Sequence, residues 1–359
     1  MATFRTGAVV RVDVADDDLV RALVRVDDDD LGDVPAVAFP PMTGPLRAGD
    51  RVVVNTTGIE LGLGTGGDAF VLWNLDGAAP DVRDGHVVKL RYTPWQTNVV
   101  AVEAPESPHH EVMRELESLD GTPVVACSLH SQVAGVAAGV KARAPGARVG
   151  YLMTDGAALP LAWSELVRTL TRAGLVDVTC TSGHAFGGDL EAVTDHSGLA
   201  ALRAVGGADI VVAAMGPGIV GTGTRLGHTG LEQGRLLDAA HALGGAPVAC
   251  VRVSFADERP RHAGVSHHTL TALRIAARER ATVVLPALDE PVVARLRAAL
   301  DDGGVAARHD VVVADGGPGV ELLRERGIEP ASMRRPMAAA PEPFLAAAAA
   351  GAHAAAAAA

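Results

Sequence analysis

At 359 residues, 48% hydrophobic and 21% charged, the chain has a globular composition and enough core for one large domain or two ordinary ones. Its 31 basic and 43 acidic residues leave a formal charge of −12, and no basic stripe with interleaved aromatics occurs. That balance argues against nucleic acid as a partner, because a phosphate backbone would be repelled overall.

Residues 1–104 read as all-β. Valine-rich runs at Thr6–Val14, Leu19–Val26, Arg51–Asn55, Ala69–Asn74 and His86–Tyr92 are separated by turn clusters at Asp27–Asp30, Pro40-Pro41, Gly49-Asp50 and Gly62–Asp68. Short strands at this spacing predict a small barrel or sandwich. Tyr92 and Trp95 stand close together in a chain with only 3% aromatics. They would cover a site or pack between domains, and packing is the plainer reading. Residues 105–120 predict a linker helix, with Ser107 as cap, Pro108 first, and Val112, Leu116 and Leu119 at helical spacing.

From 121 to 330 strands alternate with helices. Strands are expected at 123–128, 148–153, 177–181, 209–214, 247–253, 282–285 and 310–313. The helices between and after them fall at 131–143, 158–173, 199–205, 230–243, 267–279, 290–300 and 320–326. Strands so uniformly apolar belong in a parallel sheet covered on both faces. The expected fold is therefore α/β, a Rossmann-like doubly wound parallel sheet preceded by a small all-β domain, with no strand order assigned. Residues 331–359 read as an Ala-rich low-complexity tail, mobile or loosely helical, with Pro341, Glu342 and Pro343 against a membrane span. The N-terminus lacks the apolar stretch of a signal peptide, and Cys127, Cys180 and Cys250 are expected as buried thiols. A cytoplasmic protein with no membrane partner follows, and a homodimer is the base-rate expectation.

Candidate site residues gather after the strands, where open parallel sheets bind ligands. Met215–Gly230 is rich in glycine and precedes a helix whose Thr229 and Glu232 predict a capping box. Its Gly216-Pro-Gly-Ile-Val-Gly221 matches GxGxxG but follows the fourth strand, and Asp238 falls inside the next helix, so a nicotinamide or flavin dehydrogenase is disfavoured. Thr224 stands where a P-loop requires lysine. What survives is anion binding by amides at Gly216, Gly218, Gly221 and Gly223, with Thr222, Thr224 and Arg225 as further donors. A turn needed only for close packing is the bland alternative.

Asp257–Thr269 is the best candidate for reactive groups. His262 and His267 would move protons, Asp257 would orient an imidazole, and Arg259 and Arg261 would clamp a carboxylate or phosphate. The plain reading is a surface loop opening a helix capped by Ser266. His262-x4-His267-His268 fits no standard zinc pattern, and adjacent histidines on a helix point apart, so no metal ligand is assigned and the cofactor is left unknown. After the first two strands His130, Ser131 and Asp155 would contact ligand. Ser131 lacks the glycines of a nucleophile elbow and would bind ligand or cap a helix.

These runs together resemble an uncharacterised bacterial, mainly actinobacterial family, domain-of-unknown-function family 3866. The matching segments are Leu61–Gly67, His86–Gln96, Glu106–His110, Met153–Gly156, Ala185–Glu191, Gly216–Arg225 and Arg252–Thr269, spanning most of residues 5 to 290. The resemblance implies no activity or catalytic role. His184 and His228 depart from it, and the alanine tail and Asp27–Asp30 look peculiar to this chain. The leading expectation is an enzyme, a hydrolase or group transferase, acting on a small anionic metabolite. The alternatives are a non-catalytic sensor or assembly module, and a metal-dependent hydrolase using Asp155, Asp189 and the histidines.

Overall fold

A computed structural model describes residues 2–28, 30–62, 67–78, 80 and 84–358. Parts of two predicted turn clusters, Asp29 and residues 63–66 of the Gly62–Asp68 run, lie outside the described residues. The chain divides into two compact units, Met1–Val99 and Val100–Ala359.

The first unit is a closed barrel of β1 (Phe4–Ala15), β2 (Val20–Val26), β3 (Asp33–Ala38), β4 (Arg51–Asn55) and β5 (Ala69–Asn74), in the order β1-β2-β3-β5-β4. Alternation drives it: Val20, Ala22, Val24 and Val26 of β2 point into the core with Val52 and Val54 of β4. Two single-turn helices, α1 (Pro40–Thr43) and α2 (Thr57–Glu60), connect the strands. The sequence reading has no strand at β3, because Pro35 sits inside it. A hairpin of β6 (Val87–Lys89) and β7 (Thr97–Val99) completes the unit.

The second unit opens on α3 (His110–Glu115), shorter than the predicted linker helix. Ser107 does not cap it; its hydroxyl accepts from the His109 amide within a preceding turn, and the chain turns extended at Leu116. Then come β8 (Pro123–Ala126), α4 (Gln132–Arg143), β9 (Val149–Thr154), α5 (Glu165–Arg172), β10 (Val178–Thr181) and β11 (Leu190–Glu191). They are followed by α6 (Asp195–Ala204), β12 (Ile210–Met215), α7 (Glu232–Ala242) and β13 (Ala246–Cys250). The eight-stranded sheet has the order β11-β10-β9-β12-β8-β13-β16-β17, with every pairing parallel. Here β16 is Thr282–Pro286 and β17 is Asp310–Ala314.

Successive strand residues feed opposite cores. Ile210, Val212 and Ala214 pack with α4 and α5, whereas Val211 and Ala213 pack with α6 and α7. Burial on both sides explains why these strands read as continuous apolar runs. Because α4 leaves β8 on one face and α7 leaves the adjacent β12 on the other, their C-terminal ends form a topological switch point. Two buried glutamines lace this rim. Gln132 accepts from the Ser128 and Leu129 amides and donates to the Val251 carbonyl, while Gln233 donates to the Ala126 and Cys250 carbonyls.

Past β13 the predicted strand breaks. A small hairpin, β14 (Val253–Ser254) with β15 (Gly264–Val265), closes off the loop between them before α8 (His267–Thr271), which continues as one π-helical turn over Ala272–Ala276. The unit ends with α9 (Glu290–Asp302), α10 (Gly317–Glu325), the hairpin β18 (Ala331–Ser332) and β19 (Arg335–Pro336), and α11 (Glu342–Ala357). Cys127, Cys180 and Cys250 are buried free thiols, as the sequence predicts.

The alanine-rich segment is not a mobile tail. Within α11, Phe344, Ala346–Ala350, Gly351, Ala354 and Ala355 are buried in the core beneath α4 and α10. The helices meet backbone to backbone: a β-carbon added at Gly139 would fall 2.0 Å from the Ala348 carbonyl oxygen, and one at Gly351 2.1 Å from that of Val136. Alanine is the best helix former, and here its small side chain is the shape the groove requires. No helix among the described residues is long and apolar enough to cross a membrane.

Candidate functional site

The glycine loop after β12 does not run straight into a helix. It folds back as a small hairpin, with Gly221 bridged to His228, the Thr222 amide on the Gly227 carbonyl and the Thr229 amide on that of Val220. The Thr222 and Thr224 hydroxyls bond each other, Thr224 accepts from the Gly227 amide, and Thr222 bonds the Gly227 carbonyl. Both threonines therefore brace the loop. The capping box is absent: Thr229 accepts from Val220 and donates to the Met215 sulfur, and no side chain caps the turn at Thr229–Leu231. Gly216 packs against the Ala158 carbonyl, and Gly218 takes a left-handed φ of 115°. Arg225 lies on the exposed part of the loop.

This hairpin meets the segment between β14 and β15. A β-carbon added at Gly221 would lie 3.3 Å from the His268 ring, and one at Gly223 3.7 Å from the Arg261 guanidinium. Four imidazoles cluster there. His228 stacks on His268 with centroids 3.9 Å apart, and His262 lies 4.9 Å from both His267 and His268. Ser266 caps α8 by accepting from the His268 amide, and it also bonds Nδ1 of His262 at 2.8 Å. Burial pushes all four imidazoles below their ordinary range, His262 to about 4. Arg252 and Arg259 add to the effect at His262.

Asp257 does not orient an imidazole. Its two oxygens are taken by the Arg259 guanidinium at 2.9 and 2.8 Å, with buried Arg252 at 3.5 Å. The Arg259 guanidinium holds this carboxyl well below the usual carboxylate range. Arg261 is exposed beside Gly223.

The residues predicted after β8 and β9 have structural partners. His130 bonds the Met215 carbonyl and the Tyr151 hydroxyl through Nδ1 and Ser164 Oγ through Nε2. Ser131 neither caps α4 nor meets the histidines; its hydroxyl donates to Ser332. Asp155 accepts from the His184 amide, and Asp189 from the amide and hydroxyl of Thr179. Among the described residues neither aspartate joins the histidines in a cluster of donor atoms.

Instead, His228, His267 and His268 bring donor atoms within 4.8 Å of one another. His267 and His268 are adjacent on α8, yet their ring centroids lie only 4.4 Å apart, and the returning loop lays His228 against both. His228 and Arg252 are the residues that sequence reasoning passed over, and His268 was weighed only within a zinc pattern that it does not fit. The available signal was a histidine closing the glycine run just ahead of the helix. A separate groove of about 950 Å³, lined by Trp73, Trp95 and Phe4, belongs to the barrel unit and holds none of the predicted site residues. Tyr92 is almost fully exposed.

Burial pushes His130 down to about 4. The sign follows directly: below an unfolded pKa near 6.5 the unfolded chain takes up a proton that folded His130 refuses. Its contribution is present above about pH 6.5 and is lost as pH falls towards 4, by roughly 3 kcal/mol. Urea unfolding across that range is expected to show a shallower pH dependence in His130→Gln than in wild type. Parallel curves would refute the assignment.

A model of the family described as "Protein of unknown function (DUF3866)" matches residues 35–351. The match reaches Gly351, so most of α11 is a family feature and not a peculiarity of this chain, whereas Asp27–Asp30 falls outside it. No curated protein and no solved structure matches the chain.

Proposed function

The chain belongs to the DUF3866 family of unknown function, and we propose that it is a cytosolic hydrolase or group transferase acting on a small phosphorylated or carboxylated metabolite. One observation carries this reading: the glycine hairpin, the arginines and the four imidazoles converge beyond the ends of β8, β12 and β13. Arg261, with the positive field of Arg252 and Arg259, would hold the anion. His262, braced by Ser266, would accept a proton from a bound substrate or water, and a bound anion would offset the arginine charge that weakens it as a base. The GxGxxG match plays no nucleotide-binding part in this reading, because its Val220 amide and the Thr222 amide just after it are engaged within the hairpin.

The test is a thermal-shift screen of the full chain against inorganic phosphate, sugar phosphates and dicarboxylates. A ligand at ten times its Kd stabilises by about 1.4 kcal/mol. Arg261→Ala is expected to weaken binding roughly 10- to 100-fold, as for loss of a charged hydrogen bond. His262→Ala is expected to keep the shift and lose turnover. No shift with any anion would sink the reading, and binding without turnover in wild type would turn it into that of a sensor.

A further inference from the structure

We propose that His228, His267 and His268 form a binding site for one divalent transition-metal ion of the zinc class. The starting observation is unsatisfied polarity. Both nitrogens of His228, Nε2 of His267 and Nδ1 of His268 are inaccessible to water and lack a hydrogen-bond partner. The Arg225 carbonyl is near His228 but outside hydrogen-bonding geometry. His228 and His268 are 6% and 4% exposed, so solvent does not supply the missing partners. Buried polar atoms are normally paired, and each exception marks a strained group or an absent water or ion. A single unpaired imidazole nitrogen would be unremarkable. Unpaired nitrogens on three imidazoles, with donor atoms mutually within 4.8 Å, match the demand of one ion.

The donor chemistry narrows the ion. Three neutral imidazoles suit zinc, cobalt, nickel or copper, whereas calcium and magnesium require oxygen ligands. Three histidines leave one position open in a tetrahedral ion, the pattern of a site that takes water or substrate. His262 stays outside the set: its donor atoms do not join the group that lies within 4.8 Å, and its Nδ1 is held by Ser266. Gly221 leaves space against the His268 ring, where any side chain would crowd it.

Two features shape how the ion binds. Bonds of about 2.0–2.1 Å place tetrahedral donors about 3.3 Å apart, so the imidazoles must draw together on loading. His228 and His268 are stacked at an interplanar angle of 6°, and parallel rings cannot aim lone pairs at one ion, so at least one ring turns. The surrounding charge of Arg252, Arg259 and Arg261 disfavours a bare dication and favours one carrying an anion. Metal and anion should therefore strengthen each other's binding, by the same factor in both directions. This coupling rests on the anion-site reading; the metal site itself does not.

The experiment uses the full chain, stripped with chelator and titrated with zinc or cobalt(II) in buffer free of phosphate. Expected are one equivalent of zinc, intense visible cobalt bands of a low-coordinate ion, and X-ray absorption showing imidazole nitrogens at 2.0–2.1 Å. His228→Ala and His268→Ala should each weaken zinc at least 100-fold, while His262→Ala should change it less than tenfold. Adding inorganic phosphate should tighten zinc measurably. Absence of stoichiometric metal in wild type would overturn the site, as would affinity unchanged by both alanine variants. Should those variants fail to fold, fewer than two imidazoles in the wild-type absorption spectrum would overturn it equally. A chain that binds anions but no metal sinks this inference alone, and one that binds metal but no anion sinks only the anion-site reading.

Discussion

Removing residues 342–359 is expected to abolish the cooperative unfolding transition of the C-terminal unit and to leave most of the protein insoluble. The deletion takes away Phe344 and seven buried alanines, Ala346–Ala350, Ala354 and Ala355. At about 0.8 kcal/mol per buried methyl and 2–3 kcal/mol for the phenyl ring, the gross loss is roughly 8 kcal/mol. A whole domain is stable by only about 5–15 kcal/mol. The deletion also exposes Val133, Val136 and Val140 of α4 with Val320 and Leu323 of α10, an apolar surface that favours aggregation. Gly351→Val is the milder companion. Its side chain would press on the Val136 carbonyl, forcing α11 away from α4 at a cost of about 3 kcal/mol or more. Calorimetry and soluble yield check both. A truncated chain melting at the wild-type temperature would show that α11 contributes nothing to the core.

The same helix marks where sequence reasoning fails. Alanine is weakly apolar, so a run of it carries no periodic signal, and what buries α11 is its fit to glycines at 135 and 139 of α4 and at 319 of α10. That complementarity is invisible until distant segments are superposed. The longer parallel strands were easy to find because burial on both faces writes itself as an apolar run, whereas the two-residue β11 carries no such run. The barrel strands were equally plain, apart from β3, which Pro35 disguised.

At the site, the polar residue types after the strands were legible, and parallel topology sends their loops to one rim, but His130, Ser131 and Asp155 are held by other partners and do not join the histidines. The assembly was not legible. Thr222 and Thr224 looked like ligand donors but serve the hairpin, and that hairpin swings His228 onto His268. Asp257 looked like a partner for histidine. In sequence an aspartate two residues before an arginine is equally a local ion pair, and only the fold discloses that Arg252 is buried against it.

Asp257→Asn is accordingly expected to destabilise the C-terminal unit by about 3–5 kcal/mol, the cost of leaving a buried charge without its counterion. The Arg252 side chain is 5% exposed, and burial lowers its pKa to about 10 even with the carboxylate in place. Asparagine keeps the shape of the site and removes only the charge, so the loss reports electrostatics and not a cavity. Arg259 is 41% exposed although its bonds to Asp257 are the shorter ones, so Arg259→Ala should cost under about 1 kcal/mol. Urea midpoints at pH 7 for both variants, and for Arg252→Met alone and combined with Asp257→Asn, make the comparison. The double variant should recover much of the loss, because an apolar replacement of a buried pair is often near neutral. If Asp257→Asn leaves stability intact while turnover falls, the carboxylate is instead held for the histidines. The arginine pairing would then be a resting arrangement that the ligand breaks.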